Sequence, residues 1–209
     1  RLSPMQFRAQ HRGGKGVRGM TTKEDDELAS ILHVMNHDDL LFFTNTGRVF
    51  KVPAFELPQG SRVAKGQAIV NLLQLQPEEF VAAILKADPE DNKYLFMVTR
   101  NGTVKRTEIT QFENIRRNGL IAQKVPKGDE LRWVVATNGT NEVMLLSKKG
   151  KAIRFKEEDV RVMGRSAAGV RGIRLSAGDK VVEAGVIDDP KTSKLLIVME
   201  NGLGKMTAV

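Results

Sequence analysis

A glycine-rich basic loop near the start of the chain has the residue types that bind phosphate. Residues 10–16 have the sequence QHRGGKG, in which three glycines stand among a histidine, an arginine and a lysine. Glycine adopts positive φ without strain and lets a ligand approach the backbone closely, and exposed N–H groups beside cations suit phosphate oxygens. We therefore expect an anion-binding loop made of Gln10, His11, Arg12, Gly13, Gly14, Lys15 and Gly16.

The same segment contains a formal GxGxxG pattern at Gly14, Gly16 and Gly19. A dinucleotide-binding loop opens a helix with an apolar face, whereas the sequence TTKEDD follows here at residues 21–26. The sequence also lacks the GK[ST] of a P-loop. Nucleotide binding is therefore disfavoured, and no cofactor is expected.

Residues for catalysis or metal binding are not recognisable in this sequence. The chain has no cysteine, which excludes disulfides, thiolate zinc sites and cysteine nucleophiles. Its three histidines form no metal motif, no GxSxG sequence occurs, and Tyr94 lies in an apolar run. We therefore expect no catalytic residue and no metal site, and a non-enzymatic role for this segment.

The charge balance favours a polyanionic partner. The 209 residues contain 33 Lys+Arg against 25 Asp+Glu, a formal net charge of +8 at pH 7. Aromatic residues make up only 5% of the chain, which argues against single-strand binding, where bases stack on exposed rings. No long apolar run and no apolar N-terminal segment occur, so we expect a cytoplasmic location rather than a membrane span or a signal peptide.

Four similar segments set the positions of these charges. Each has an apolar run, a turn that ends in glycine and a basic strand, and they lie at residues 40–57, 94–112, 143–160 and 195–209. The turn glycines are Gly47, Gly102, Gly150 and Gly202. They recur at a period of roughly 50 residues, which is typical of propeller-like arrays. We therefore predict four β-hairpins whose turn glycines have positive φ.

Each repeat contains more than its hairpin. Glycine-bearing loops lie at residues 11–20, 61–70, 115–123 and 164–175. After each loop comes an apolar segment that we predict to be a strand, at residues 27–36, 79–88, 130–138 and 180–188. We therefore predict that residues 1–209 form a single all-β domain of about four four-stranded blades. The chain begins with a loop and ends with a hairpin, so either its ends meet in a closed ring or it belongs to a longer array.

The loop and the hairpins together resemble the C-terminal domain of the DNA gyrase A protein. Residues 7–17, FRAQHRGGKGV, are similar to the GyrA box of that family, Gln-Arg-Arg-Gly-Gly-Arg/Lys-Gly, with His11 in place of an arginine. The family's hairpin pattern, a glycine followed shortly by a basic residue, recurs at residues 102–106 and 202–205. The resemblance covers essentially the whole chain.

The resemblance implies a fold, a partner and a process. The fold is a β-pinwheel, a propeller-like disc whose blades exchange strands with their neighbours; such domains commonly have six blades, so four indicate a fragment or a shortened domain. Duplex DNA wraps around the basic rim of the disc without sequence preference. The wrap enables negative supercoiling by DNA gyrase, an ATP-dependent type II topoisomerase of the bacterial cytoplasm. The implied partners are duplex DNA, the N-terminal core of the gyrase A protein and the gyrase B protein, and the isolated domain is expected to be a monomer.

Two other interpretations remain open: the C-terminal domain of topoisomerase IV, and a propeller that binds another protein. DNA wrapping needs basic residues at equivalent places on every blade, and they recur in that way. Besides Arg12 and Lys15 of the loop, the expected rim contacts are Arg8, Arg18, Arg48, Lys51, Arg62, Lys65, Arg100, Lys105, Arg106, Arg116, Arg117, Lys149, Lys151, Arg154, Arg165, Arg171, Arg174 and Lys205.

Overall fold

The computed structural model describes residues 1–7, 9, 11–16, 19, 28–64, 66–199 and 201–209. Across these residues the regular structure consists of β-strands and short 3-10 helices, so the predicted all-β class is confirmed. The 3-10 helices are Pro4–Gln6, Ala54–Glu56, Ile69–Asn71, Ile109–Phe112 and Glu157–Asp159. Within the described ranges, every helix is too short to cross a bilayer.

The strands form a hairpin at each of the four predicted places. Numbered in chain order, they are β1 Asp39–Thr44, β2 Arg48–Pro53, β3 Val81–Lys86, β4 Tyr94–Thr99, β5 Thr103–Glu108, β6 Leu120–Ile121, β7 Leu131–Thr137, β8 Glu142–Ser147, β9 Ala152–Lys156, β10 Val170–Arg171, β11 Val181–Ile187, β12 Lys194–Val198 and β13 Gly204–Ala208. The hairpins are β1–β2, β4–β5, β8–β9 and β12–β13, and all four are antiparallel.

Adjacent repeats exchange strands. In the first sheet, with strand order β3-β1-β2-β6, the long strand β3 of the same repeat pairs with β1, and the short strand β6 from the next loop pairs with β2. The second sheet repeats this arrangement, because β7 pairs with β4 and β10 pairs with β5. Each of these blades is therefore completed by backbone from the following repeat.

The predicted four strands are present in the first two sheets, and the later two sheets have fewer. In the described part of the chain the third sheet has the order β11-β8-β9, and the fourth contains only β12 and β13. In the first two sheets the short outer strand comes from the loop after the next hairpin, and no loop after the fourth hairpin is among the 209 residues. Ring closure through strand pairing is also not observed among the described residues.

The strand predicted at residues 27–36 is a further correction. Residues 28–36 form no strand, and Ile31 is 81% exposed. The equivalent strands β3, β7 and β11 each pair with the first strand of a preceding hairpin. The described residues before residue 28 contain no hairpin, so the segment has the apolar pattern of a strand but no ladder partner among the described residues.

The hydrophobic core lies between the sheets, as expected for blades that pack on both faces. Leu41 of β1 packs with Leu95 of β4 in the cluster between the first and second sheets. Phe96, the next residue of β4, packs with Val143 of β8 in the cluster between the second and third sheets. Side chains alternate across a strand, so a blade with apolar residues at consecutive positions contributes to two cores at once.

The turn glycines have the predicted conformation. The φ angles of Gly47, Gly102, Gly150 and Gly202 are +83°, +83°, +81° and +81°. At Gly102 the next repeat also packs closely, because an added Cβ would lie 2.6 Å from Cγ2 of Ile173. An added Cβ at Gly150 would have no described neighbour within 4 Å. The glycine at residue 102 is thus required by both conformation and space.

In each of the first three blades, one carboxylate supports the hairpin turn. It is buried or half-buried and lies just before β3, β7 or β11. Glu79 accepts hydrogen bonds from the hydroxyls of Thr44 and Thr46, both at 2.7 Å. Asp129 accepts from the backbone N–H of Asn101 at 2.9 Å. Asp179 accepts from the hydroxyl of Ser147 at 2.8 Å and from a turn N–H at 3.0 Å.

The pKa of Glu79 is lowered from its ordinary value. Burial raises this pKa, but the hydrogen bonds from the Gln76 backbone and the two threonine hydroxyls, together with the charge of Arg48, outweigh the effect of burial. The pKa of Asp179 is lowered by a similar set of hydrogen bonds, against the effect of burial. Both turns are therefore supported by the ionised form of the carboxyl.

We predict that Gly102→Ala lowers the free energy of unfolding more than Gly150→Ala. Both variants place a side chain at positive φ, at a cost of about 1–2 kcal/mol. Only Gly102→Ala also forces Ile173 to move, which adds about 1–3 kcal/mol. Denaturant unfolding of the two variants measures the difference, and equal losses would contradict the packing described for Gly102.

We predict that Glu79→Gln removes part of the acid sensitivity of the fold. The folded pKa of Glu79 is below the unfolded value of about 4.5, so its stabilisation is present above that pH and is lost as the pH falls through the folded pKa. At neutral pH the variant should lose about 1–3 kcal/mol of unfolding free energy. The control is Glu78→Gln, since Glu78 is exposed. A stability–pH curve for Glu79→Gln parallel to that of the parent would contradict this role.

Candidate nucleic-acid interface

The described part of the basic loop, residues 11–16, is an exposed turn. All six residues are exposed, and the backbone N–H of Gly14 donates to the carbonyl of His11 at 2.9 Å. Gly13 and Gly16 have φ of +87° and +74°, which side-chain-bearing residues adopt at a cost. The loop therefore presents Arg12 and Lys15 to solvent on a glycine backbone. Gln10, Arg8, Arg18 and Lys65 of the predicted set lie outside the described residues.

Cations on the later glycine-bearing loops are also at the surface. Arg116 and Arg117 of the loop at residues 115–123 are exposed, and so are Arg171 and Arg174 of the loop at residues 164–175. Lys205, on β13 of the fourth hairpin, is exposed as well. Arg165 and Arg62 are partly exposed.

In the first blade, the predicted hairpin cations hold neighbouring loops. Arg48 forms an ion pair with Glu79 at 2.6 Å and donates to the carbonyl of Asn118 at 2.5 Å; its side chain is only 18% exposed. Lys51 lies 3.0 Å from Asp39 and donates to the carbonyl of Glu113 at 2.7 Å. Both acceptor carbonyls belong to the next repeat, so these cations act as cross-blade braces.

The hairpin cations of the second and third blades are bonded in similar ways. Arg106 is 8% exposed, stacks over the ring of Tyr94 at 4.7 Å and lies 3.8 Å from Glu157. The others bond as follows: Arg100 to Glu130 at 3.0 Å, Arg154 to Glu142 at 3.1 Å, Lys149 to the Ala177 carbonyl at 2.6 Å and Lys151 to the Arg174 carbonyl at 3.1 Å.

Lys105 is a correction to the predicted set of rim contacts. Its side chain is fully buried, and its ammonium donates to the carbonyls of Ala122 and Arg165, each at 2.5 Å. Burial, together with the charge of Arg165, lowers the pKa of Lys105 to about 8. A group without exposed surface does not reach a phosphate in this arrangement, so we remove Lys105 from the contact set.

A cavity of about 720 Å³ lies where the first blade meets the loops of the second and third repeats. We call residues 115–123 the second-repeat loop and residues 164–175 the third-repeat loop. Three cations from these three elements line the cavity, namely Lys51, Arg116 and Arg165. Glu113 and Asn118 contribute polar groups to the same wall. The cavity is therefore a positively charged recess between blades, open to an anionic partner.

Two exposed cations beside the loops are missing from the predicted set. Lys124 directly follows the second-repeat loop, and Arg161 lies shortly before the third-repeat loop. Both lie next to a loop whose own cations are in the predicted set, so proximity to a glycine-bearing loop is the signal that would have found them.

Comparison with known proteins gives a consistent assignment. A family model described as DNA gyrase C-terminal domain, beta-propeller, matches residues 6–35, 38–88, 93–138 and 141–188. The DNA gyrase A protein of Haloquadratum walsbyi is 41% identical over 214 residues, covering 100% of this chain and 25% of the relative. That of Escherichia coli K12 is 45% identical over 205 residues, covering 98% and 23%. The chain thus spans about a quarter of the length of these relatives.

Two solved structures share the fold. The C-terminal domain of DNA topoisomerase IV superposes with a TM-score of 0.80 at 31% identity, covering 92% of this chain and 60% of that one. The DNA gyrase A C-terminal domain superposes with a TM-score of 0.72 at 33% identity, covering 98% and 66%. The strand exchange between blades and these superpositions together define a β-pinwheel.

Proposed function

This chain belongs to the DNA gyrase C-terminal domain family, and from that premise we propose that it binds duplex DNA and wraps it along its glycine-bearing loops. The observation that carries the proposal is the exposure of cations on several of these loops. Arg12 and Lys15 lie on the loop at residues 11–20, Arg116 and Arg117 on the second-repeat loop, and Arg171 and Arg174 on the third-repeat loop. Exposed cations on the loops of adjacent blades suit the phosphates of a bent duplex.

The contacts proposed are to phosphates and not to bases. The loop cations project from short exposed loops, and no recognition helix exists among the described residues to enter a major groove. Arginine and lysine neutralise phosphates regardless of sequence. Binding is therefore electrostatic and nearly independent of base sequence.

We assign the chain a non-catalytic part in an ATP-dependent type II topoisomerase. The named relatives are gyrase A proteins of which this chain matches about a quarter. In this proposal the rest of the gyrase A protein and the gyrase B protein carry out cleavage and ATP hydrolysis, and the wrap delivers the duplex to them so that strand passage introduces negative supercoils. The cytoplasm is the location that goes with this role.

Topoisomerase IV is the second candidate, because the structure superposes on its C-terminal domain with a TM-score of 0.80. The box loop favours gyrase, since QHRGGKG departs from the gyrase pattern at one position only. Supercoiling of relaxed plasmid by the complete enzyme distinguishes the two. A product that relaxes and decatenates but never becomes negatively supercoiled would assign the chain to topoisomerase IV.

We predict that affinity for duplex DNA falls steeply with salt and that the loop cations set the slope. Each neutralised phosphate contributes about 0.9 to the slope of log K against log salt. The variant Arg116→Ala/Arg117→Ala should reduce the slope by up to about 1.8. The charge-matched control is Lys191→Ala/Lys194→Ala, whose residues are exposed but lie outside the glycine-bearing loops. A slope near zero for the parent would support the protein-binding alternative, and a strong base preference would contradict binding through phosphates alone.

We predict that the box loop contributes more to DNA bending than to affinity. Replacing residues 10–16 with alanine removes only two of many cations, whereas bending 20–30 base pairs by 40–90° costs about 1–6 kcal/mol that must be offset by contacts along the bent duplex. The variant enzyme should lose negative supercoiling and retain relaxation and most DNA affinity. If it supercoils at the parental rate, the loop has another role; if it loses all DNA binding, the loop is the primary docking site.

A further inference from the structure

The buried side chain of Lys105 connects two of the loops that carry exposed cations. Lys105 lies on β5, and its ammonium bonds to the carbonyl of Ala122 in the second-repeat loop. The same ammonium bonds to the carbonyl of Arg165 in the third-repeat loop. One charged group thus joins the backbones of two loops that come from different repeats.

We propose that Lys105 is a positioning residue that fixes the spacing of the second-repeat and third-repeat loops, and thereby aligns their cations along a bent duplex. This inference rests on the proposed function. Lys105 itself does not contact DNA in it. Its effect passes through the backbone of the two loops to Arg116, Arg165 and Arg171.

The surrounding bonds show why this point controls the spacing. Gln123 donates to the Ala168 carbonyl at 2.7 Å, and the Lys124 N–H donates to the Ala167 carbonyl at 3.3 Å, so the two loops touch directly. The N–H groups of Ala122 and Gln123 also donate to the carbonyl of the turn glycine in the first blade. The buried ammonium therefore lies where the first blade, the second blade and the third-repeat loop meet.

The fold itself does not call for a buried lysine at this position. Three places after the turn glycine, the first and third hairpins have the apolar residues Phe50 and Ile153, while the second has Lys105. The fourth hairpin has Lys205 there, and that side chain is exposed. A buried ammonium is costly unless its donors are engaged, and burial lowers the pKa of Lys105 to about 8. A costly buried cation at a place where the covered first hairpin accepts the buried side chain of Phe50 points to a role beyond packing.

Arg165 connects the buried Lys105 with the cation-lined cavity. Its carbonyl is held by Lys105, and its side chain lines the cationic cavity together with Lys51 and Arg116. Without the ammonium, the carbonyls of Ala122 and Arg165 lose a strong donor, and fewer bonds hold the third-repeat loop against the second. The three cations of the cavity then no longer keep fixed positions relative to one another.

The test compares Lys105→Met, Lys105→Arg and, as the matched core control, Ile153→Met in the 209-residue chain. Wrapping is measured as the linking-number change when a nicked plasmid is closed by ligase in the presence of protein. Lys105→Met should need about tenfold more protein for the same change, whereas its affinity for a short linear duplex should stay within about twofold of the parent. Lys105→Arg should restore most of the wrapping, and Ile153→Met should match the parent.

Amide hydrogen exchange without DNA provides an independent measurement. In Lys105→Met, exchange should become faster in the second-repeat and third-repeat loops and stay unchanged in β1 and β8. The proposal is overturned if Lys105→Met wraps DNA like the parent, or if its loop amides exchange as fast as those of the parent. It is also overturned if Lys105→Met no longer unfolds cooperatively, because Lys105 would then be required for the core itself. Failure of the parent to bind or wrap duplex DNA would instead refute the proposed function, and the exchange data would still test the brace.

Discussion

The backbone pairing of the first and second hairpins with the repeat that follows each of them is the interaction on which the rest of this structure depends. The Gly47 carbonyl accepts the N–H groups of Ala122 and Gln123, and the Gly102 carbonyl accepts the N–H of Gly172. Buried polar backbone groups need such partners, and here they come from a segment far along the chain. The glycines at these two turns adopt positive φ without strain, and their lack of a Cβ leaves room for the incoming loop. A hairpin in this fold is therefore not an autonomous unit.

The same pairing decides which cations are available at the surface. Once a loop from the next repeat lies over a hairpin, the basic side chains of that hairpin face its carbonyls. Arg48 and Lys51 are bonded to the carbonyls of Asn118 and Glu113 for this reason. The loop that covers the hairpin turns its own arginines outward, as Arg117 illustrates. In the first blade, bracing and surface charge are thus divided between the hairpin and the loop that covers it.

The local sequence pattern was sufficient to predict the hairpins, but it did not predict which segments pair with them. The alternation of apolar runs, turn glycines and basic strands predicted all four hairpins and the conformation of Gly102, because a tight reversal depends on residues close in sequence. Residues 28–36 have the composition of a strand and form none, since a strand also needs a ladder partner that composition does not encode. The burial of Lys105 was missed for the same reason, because the loops that cover it are defined only by long-range packing.

In the proposed function, the relative positions of the loops matter as much as the number of cations. Electrostatic attraction to phosphate is screened over about 10 Å at moderate salt, so a cation contributes to bending only if it stays where the bent path of the duplex passes. A loop that is free to move would adjust its position to a straight duplex. Its cations would then raise the affinity for DNA without bending the DNA. Rigid spacing comes from the backbone bonds between repeats and from the buried ammonium of Lys105, neither of which touches the partner. In this proposal the curvature of the DNA is set inside the protein, by the groups that hold the loops, while the exposed arginines and lysines set how tightly the bent DNA is bound.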